Sequence, residues 1–235
     1  VSIEASFLYA ELPLEELKIG PLEGVEAILK VLKDSINSNK VFDWVLDATH
    51  PFAEVISTNL KRACKEFDQP LLRYERPHEE FSEGTLIQEL RDLAYFDLKN
   101  QRLLMAIGSR SLENAALAAK TAGAIVFARV LPSPESLRKA LSSSVPSSRL
   151  ALFRPLAFKR DGELEAALCR KWSITGIVCR QSGGRTEKLW REICTREKLN
   201  LWLVSRPKYS DEVEALYSIE ELINRIAIYP SSNST

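Results

Sequence analysis

The chain has 235 residues, is 45% hydrophobic and 27% charged, and balances Lys plus Arg against Asp plus Glu at 32 each. That is the composition of one large globular domain or two smaller ones. With no net charge there is no global field to draw it to nucleic acid or membrane, so any anion site must be local. No apolar run approaches the roughly 20 residues of a membrane span, and no signal peptide stands at the start; a cytoplasmic protein is expected.

The chain opens on VSIEASF (Val1–Phe7), which alternates like a strand and does not begin with Met. A preceding structural unit is therefore expected to be missing. Val25, Ile28, Leu29 and Leu32 recur at helical spacing within Gly24–Ile36. VFDWVLDA (Val41–Ala48) reads as a buried strand. Pro51 suits a first helical turn, where its missing N–H costs nothing. Phe52, Val55, Ile56, Leu60, Ala63, Cys64 and Phe67 then form one apolar stripe.

PLLRYERP gives the next strand, and His78–Ala94 reads as helical toward its end. RLLMAI (Arg102–Ile107) is a strand stopped by Gly108 and Ser109. SLENAALAAKTAG is a helix with Gly123 as its C-terminal cap, and AIVFARVL (Ala124–Leu131) is a strand. SPESLRKAL begins with Ser133 as N-cap and Pro134 at the first helical position.

SSSVPSS (Ser142–Ser148) is a short linker or a surface loop. RLALFRP is a strand, DGELEAALCRKW a helix and ITGIVCRQ (Ile174–Gln181) a strand. TEKLWREICTREK is a helix, LNLWLVSRP a strand, and SIEELINRIAI a last helix with a Ser218–Glu221 capping box. Such alternation predicts α/β architecture with mostly parallel sheets. Eight strands could form one sheet. The reset near Asn100 favours two Rossmann-like halves, 1–100 and 101–235, with a cleft between them.

In such folds ligands bind beyond the carboxyl ends of the strands. The strand-end clusters here are Asp47–Pro51, Arg73–Pro77, Gly108–Arg110, Arg129–Pro132, Arg154–Pro155, Arg180–Gly184 and Ser205–Pro207. Their small residues expose amides and hydroxyls at helix N-termini, where anions are stabilised. The recurring arginines suit a ligand with several carboxylates or phosphates, onto which a guanidinium forks. His50 could be a general acid, a hydrogen-bond donor to a ligand or a helix-cap residue, and Asp47 could simply orient its loop. Gly183 and Gly184 could cradle an anion or make a tight turn.

Nucleophile elbows, HExxH helices and Walker loops are absent from the sequence. The cysteines, Cys64, Cys169, Cys179 and Cys194, lack CxxC spacing, and reduced buried thiols are expected rather than a zinc site or a structural disulfide.

DATHPFA, a following helix and LRYERP together resemble the signature of the precorrin-6A reductases, including the cobalt-precorrin-6A reductases of corrin biosynthesis. The resemblance continues through ARVLP (Ala128–Pro132), SGG (Ser182–Gly184) and LVSRP (Leu203–Pro207), spanning nearly the whole chain in order. It implies a Rossmann-type reductase that uses NADPH to deliver a hydride to a tetrapyrrole, forming precorrin-6B or its cobalt form. The expected partner is a tetrapyrrole bearing many carboxylates, with other corrin-pathway enzymes as further partners and no nucleic acid or membrane.

By the same resemblance His50 is the candidate proton donor, with water as its rival. Thr49, Pro51, Phe52, Gly108 and Ser109 line the cofactor, and Arg76, Arg129, Ser182, Gly183, Gly184 and Arg206 hold phosphate or substrate carboxylates. No metal ligand is implied. The chain departs from the family in starting near its second strand, without the glycine-rich GGTxE-type loop. Its QGP-like strand end reads Phe153-Arg154-Pro155 here, and its KxSG reads Arg180-Gln181-Ser182-Gly183. Two readings compete with the reductase: a non-catalytic tetrapyrrole- or nucleotide-binding protein, and an unrelated α/β transferase with strand-end arginines.

Overall fold

Every strand pairing among the described residues is parallel, as short apolar strands separated by helices require. The computed structural model describes residues 20, 22–77, 84–153, 162–209 and 211–227. In chain order the elements are α1 (Gly24–Asn37), β1 (Val45–Asp47), α2 (Glu54–Glu66), β2 (Leu71–Tyr74), β3 (Thr85–Ile87), a 3₁₀ helix (Leu90–Tyr95), β4 (Arg102–Met105), α3 (Leu112–Thr121), β5 (Ile125–Val130), α4 (Pro134–Leu141) and β6 (Leu150–Leu152). There follow α5 (Glu163–Lys171), β7 (Gly176–Arg180), α6 (Arg185–Glu197), β8 (Asn200–Val204), β9 (Glu214–Leu216) and α7 (Ile219–Ala227). The opening Val1–Phe7 segment and the Arg154–Pro155 strand end lie outside the described residues.

Two compact units result, Val1–Glu75 with Tyr209–Thr235, and Arg76–Lys208. The first holds a sheet of order β1-β2-β9. Ile28, Leu29 and Leu32 of α1 pack with Ala63 of α2, against Val45, Ile56, Leu60 and Phe67. Burying such side chains contributes roughly 1.5–3 kcal/mol each. Val55, placed on this stripe by its spacing, is instead exposed.

The second unit holds a six-stranded sheet of order β3-β8-β7-β4-β5-β6. From β4 the chain winds outward through β5 to β6, then returns beside β4 as β7 and continues to β8. This reversal is the doubly wound pattern. Leu104, Phe127, Ile177, Trp190, Ile193 and Leu203 anchor its core. Cys169, Cys179 and Cys194 lie in that core, and all four cysteines are free and buried, as expected.

The described residues form two sheets, the arrangement the sequence favours over a single one. One sequence expectation, the unit boundary, needs correction. Within His78–Ala94 the expected helical end is the 3₁₀ helix Leu90–Tyr95, but a strand the sequence does not suggest, β3, precedes it and pairs with β8. That pairing draws residues 76–100 into the second unit, while β9 pairs with β2 and returns the C-terminal stretch to the first. The division therefore falls at Glu75–Arg76 and Lys208–Tyr209 rather than near Asn100, which at φ +65° makes a turn inside the second unit.

Several local expectations agree with the structure. Ser133 accepts from the Ser136 N–H, with Pro134 at the first position of α4. At α7, Ser218 and Glu221 exchange the two bonds of a capping box. No helix among the described residues is long and apolar enough to cross a membrane.

Candidate functional site

In the first unit, β1 ends at a carboxylate from which solvent is excluded. Asp47 is 0% exposed and pairs with the guanidinium of Arg73, itself 1% exposed, at 2.8 Å. Arg73 also pairs with Glu75 through Nε at 2.8 Å. The register that sets Asp47 beside Arg73 comes from the parallel pairing of β1 with β2. Asp47 Oδ1 accepts from the Thr49 N–H at 3.0 Å and from the Thr49 hydroxyl at 2.7 Å. Its Oδ2 accepts from the Tyr209 hydroxyl at 3.2 Å, and the Tyr209 ring lies 4.8 Å from the Arg73 guanidinium.

Burial pushes the Asp47 carboxyl up, but hydrogen bonds from Ser57 and Thr49 and the charge of Arg73 outweigh it, leaving it below the usual carboxylate range. Burial and the Asp47 charge together push the Tyr209 phenol upward. Asp47 is thus a fixed anion that organises its loop.

The loop leaving this network carries the predicted residues Thr49, His50, Pro51 and Phe52. Ala53 N–H donates to the His50 carbonyl at 2.7 Å, so Pro51 occupies the second position of a turn, where its fixed φ suits it. The helix begins at Glu54, and Pro51 is buried ahead of it rather than in its first turn. His50 is exposed. Its Nδ1 accepts the Phe52 N–H at 3.2 Å, and the two rings lie 5.9 Å apart. That bond ties Nδ1 to the backbone of its own loop.

The second unit brings three predicted strand ends together. Arg206, beyond β8, donates from Nη1 to the Arg76 carbonyl at 2.6 Å and from Nε to the Gln181 carbonyl at 3.4 Å. Its own N–H donates to Gln181 Oε1 at 3.3 Å. A side chain at Gly183 would collide with the Arg206 guanidinium and come within 2.5 Å of the Pro77 carbonyl oxygen. One at Gly184 would lie 2.8 Å from Arg76 Nη1. The glycine pair thus serves the close approach of the two arginines.

The Gly183 N–H donates to Glu187 Oε2 at 2.8 Å, and Arg191 forks onto Oε1 of the same carboxylate. That amide is engaged by the protein, which weighs against the anion-cradle reading at Gly183. Ser182 beside it is buried.

Gly108 and Ser109 follow β4, at the reversal between β4 and β7. Gly108 is exposed at φ +83°, and a Cβ there would meet nothing within 4 Å. Arg180, at the end of β7, donates to the Ser111 hydroxyl at 2.7 Å, bridging the two strand ends at the start of α3. Burial and the neighbouring Arg110 charge lower the affinity of Arg180 for its proton.

Arg129 is 9% exposed near the end of β5, and its guanidinium lies 5.0 Å from the Phe153 ring. Ser57, Glu187 and Tyr209 escaped the sequence reading. Only Glu187 left a local sign, standing at the third position of a helix after Gly184, where an acid caps backward.

A family model described as "Precorrin-6x reductase CbiJ/CobK" matches residues 4–227. A cobalt-precorrin-6A reductase of Synechocystis sp. is 33% identical over 170 residues, covering 70% of this chain and 63% of that protein. One from Methanothermobacter thermautotrophicus is 28% identical over 77% of this chain and 61% of its own length. The matches thus span less than two thirds of those two relatives. A precorrin-6A reductase of Mycobacterium tuberculosis is 25% identical over 94% of this chain and 84% of its own. Among solved structures, a CobK precorrin-6A reductase matches with a TM-score of 0.70 at 23% identity, over 90% of this chain and 81% of that one. That likeness speaks to a shared α/β, Rossmann-like fold.

Proposed function

The chain belongs to the precorrin-6A/cobalt-precorrin-6A reductase family, CbiJ/CobK, and from that premise we propose that it catalyses NADPH-dependent reduction of precorrin-6A, or its cobalt form, to the dihydro product. The observation that carries the proposal is the strand reversal between β4 and β7. It leaves open space over Gly108 at the start of α3, with Arg180 alongside. Dinucleotides bind at such reversals, with phosphate against a helix N-terminus. The residues present therefore fit the cofactor: Gly108 and Ser109 would hold its phosphates by backbone and hydroxyl, and Arg180 would add charge. When bound, NADPH supplies the two electrons and the hydrogen as hydride.

The protein's own share is to orient, bind charge and provide a proton. Arg76 and Arg206, fixed across the glycine loop, suit the carboxylates of the macrocycle. The Asp47–Arg73 network anchors the Thr49–Phe52 loop through Thr49, and with Pro51 buried beneath it Phe52 is the residue of that loop offered to a ligand. His50 is the candidate proton donor, with water as its rival; the bond from the Phe52 N–H to Nδ1, which a proton there would break, favours water.

The test is NADPH consumption by the purified chain, and by a version extended upstream, with precorrin-6A and with its cobalt form. Turnover by either version supports the reductase. Tight binding of the tetrapyrrole without consumption by either supports the rival binding-protein reading instead.

A further inference from the structure

The guanidinium of Arg129 is buried with part of its hydrogen-bonding capacity unused. Its Nε and Nη2 are both shielded from solvent and meet no hydrogen-bond partner among the described residues. Buried polar groups in folded proteins are nearly always paired, so two adjacent orphan donors on one cation call for an explanation. Nε and Nη2 form one edge of the guanidinium, and that edge forks onto a planar oxyanion.

The described residues around it do not supply that anion. Phe153 covers one face of the cation at 5.0 Å. Glu165, buried in the first turn of α5, offers charge nearby but no ion pair with Arg129 among the described residues. The position is equally specific. Met105 of β4 pairs with Ala128, so Arg129 stands one residue beyond that level, one strand over from the chain that leads to Gly108. It therefore lies at the carboxyl end of the sheet, where ligands of doubly wound folds bind.

We propose that the Nε–Nη2 edge of Arg129 is a carboxylate subsite that takes one acidic side arm of the tetrapyrrole substrate. This rests on the reductase reading above. The arm replaces the missing partner by displacing the packing that shields the edge, and it turns an uncompensated buried cation into a forked pair. A nucleotide phosphate could satisfy the same donors, so the experiment separates the two sources.

The wild-type chain, Arg129→Met and Arg129→Lys are titrated with uroporphyrin, a tetrapyrrole whose side arms all end in carboxylates, with its methyl ester, and with NADP⁺, each followed by quenching of tryptophan fluorescence. The account expects Arg129→Met to weaken uroporphyrin about 10- to 100-fold, the worth of charge-assisted hydrogen bonds. NADP⁺ and the ester should be unaffected. Arg129→Lys should fall between, because an ammonium keeps the charge and loses the fork; it also serves if Arg129→Met fails to fold. The unliganded Arg129→Met protein should unfold no earlier than wild type, since the change removes a buried cation without a partner.

Unchanged uroporphyrin affinity in both variants, or a loss confined to NADP⁺, would overturn the subsite. If wild type reduces precorrin-6A and Arg129→Met matches it, the subsite fails while the reductase reading stands. If wild type neither reduces nor binds a tetrapyrrole, both fail.

Discussion

Replacing Arg73 by Met should deprive two buried carboxylates of the first unit of the guanidinium they share. Asp47 is 0% exposed and Glu75 7%, and Arg73 is the cation paired with each. Removing one partner from a buried pair costs about 3–5 kcal/mol. Asp47 keeps its bonds from Thr49, Ser57 and Tyr209, which pulls the expected figure toward the lower end, about 3–4 kcal/mol. That is a large share of a typical domain stability of roughly 5–15 kcal/mol.

The pH dependence carries a sign that packing loss alone would not. In wild type the Asp47 carboxyl is lowered in the folded state. Its stabilisation is therefore complete above the ordinary value of 3.8 and is lost as pH falls through the lowered folded value. In Arg73→Met the Asp47 carboxyl loses the charge that helps to lower it, so it has less stabilisation to lose on acidification, and the gap to wild type narrows as pH falls below 3.8.

Hydrogen exchange of peptides covering β1, α2 and β2, measured in increasing urea, reports this unit alone. A deficit under about 1 kcal/mol, as for an exposed pair, or one that is the same at every pH, would refute the reasoning. Adding Asp47→Asn to Arg73→Met should restore part of the loss.

Tyr209→Phe removes a hydrogen bond to a buried carboxylate, and exchange in the same peptides should show a loss of about 1.5–3 kcal/mol; no change would show the bond to be idle. Gly183→Ala forces a Cβ at φ +63° toward the Arg206 guanidinium and the Pro77 carbonyl, so thermal unfolding should report a cost of about 1–3 kcal/mol, and an unchanged midpoint would contradict the close approach. His50→Gln should lower kcat less than about tenfold, whereas a fall of about 10²–10⁴ would identify His50 as the acid. Burial, with the Asp47 charge, holds Cys64 at about 11, and burial holds Cys169 and Cys194 at about 12. A disulfide reagent at mildly alkaline pH should therefore find the thiols inert until the chain is denatured; rapid reaction in the native state would refute that.

How much was legible in the sequence follows from what each element depends on. Strands β4, β5, β7 and β8 were readable because strands buried on both faces leave continuous apolar runs such as RLLM and NLWLV. The three-residue strands β3 (TLI) and β9 (EAL) carry too few residues for a period to show, and both owe their existence to pairing with distant strands. Because neither strand shows in the sequence pattern, the expected unit boundary falls near Asn100 instead of at Glu75–Arg76. The strand-end arginines were visible as residues, and the structure joins Arg76, Arg206 and the glycine loop. Their partners were less visible, since Tyr209 reaches Asp47 across 162 residues of chain. Likewise Thr49 read as a ligand-facing hydroxyl, yet it is engaged by Asp47, Arg73 and Ser57.

The most direct test of the central claim uses NADPH carrying deuterium on the transferable face of its nicotinamide, incubated with this chain and precorrin-6A, with mass spectrometry of the tetrapyrrole product. The account predicts one deuterium per molecule of dihydro product, formed in step with NADP⁺. A product that gains its hydrogens from solvent alone, or a tetrapyrrole that stays bound and unreduced while NADPH persists, would contradict it.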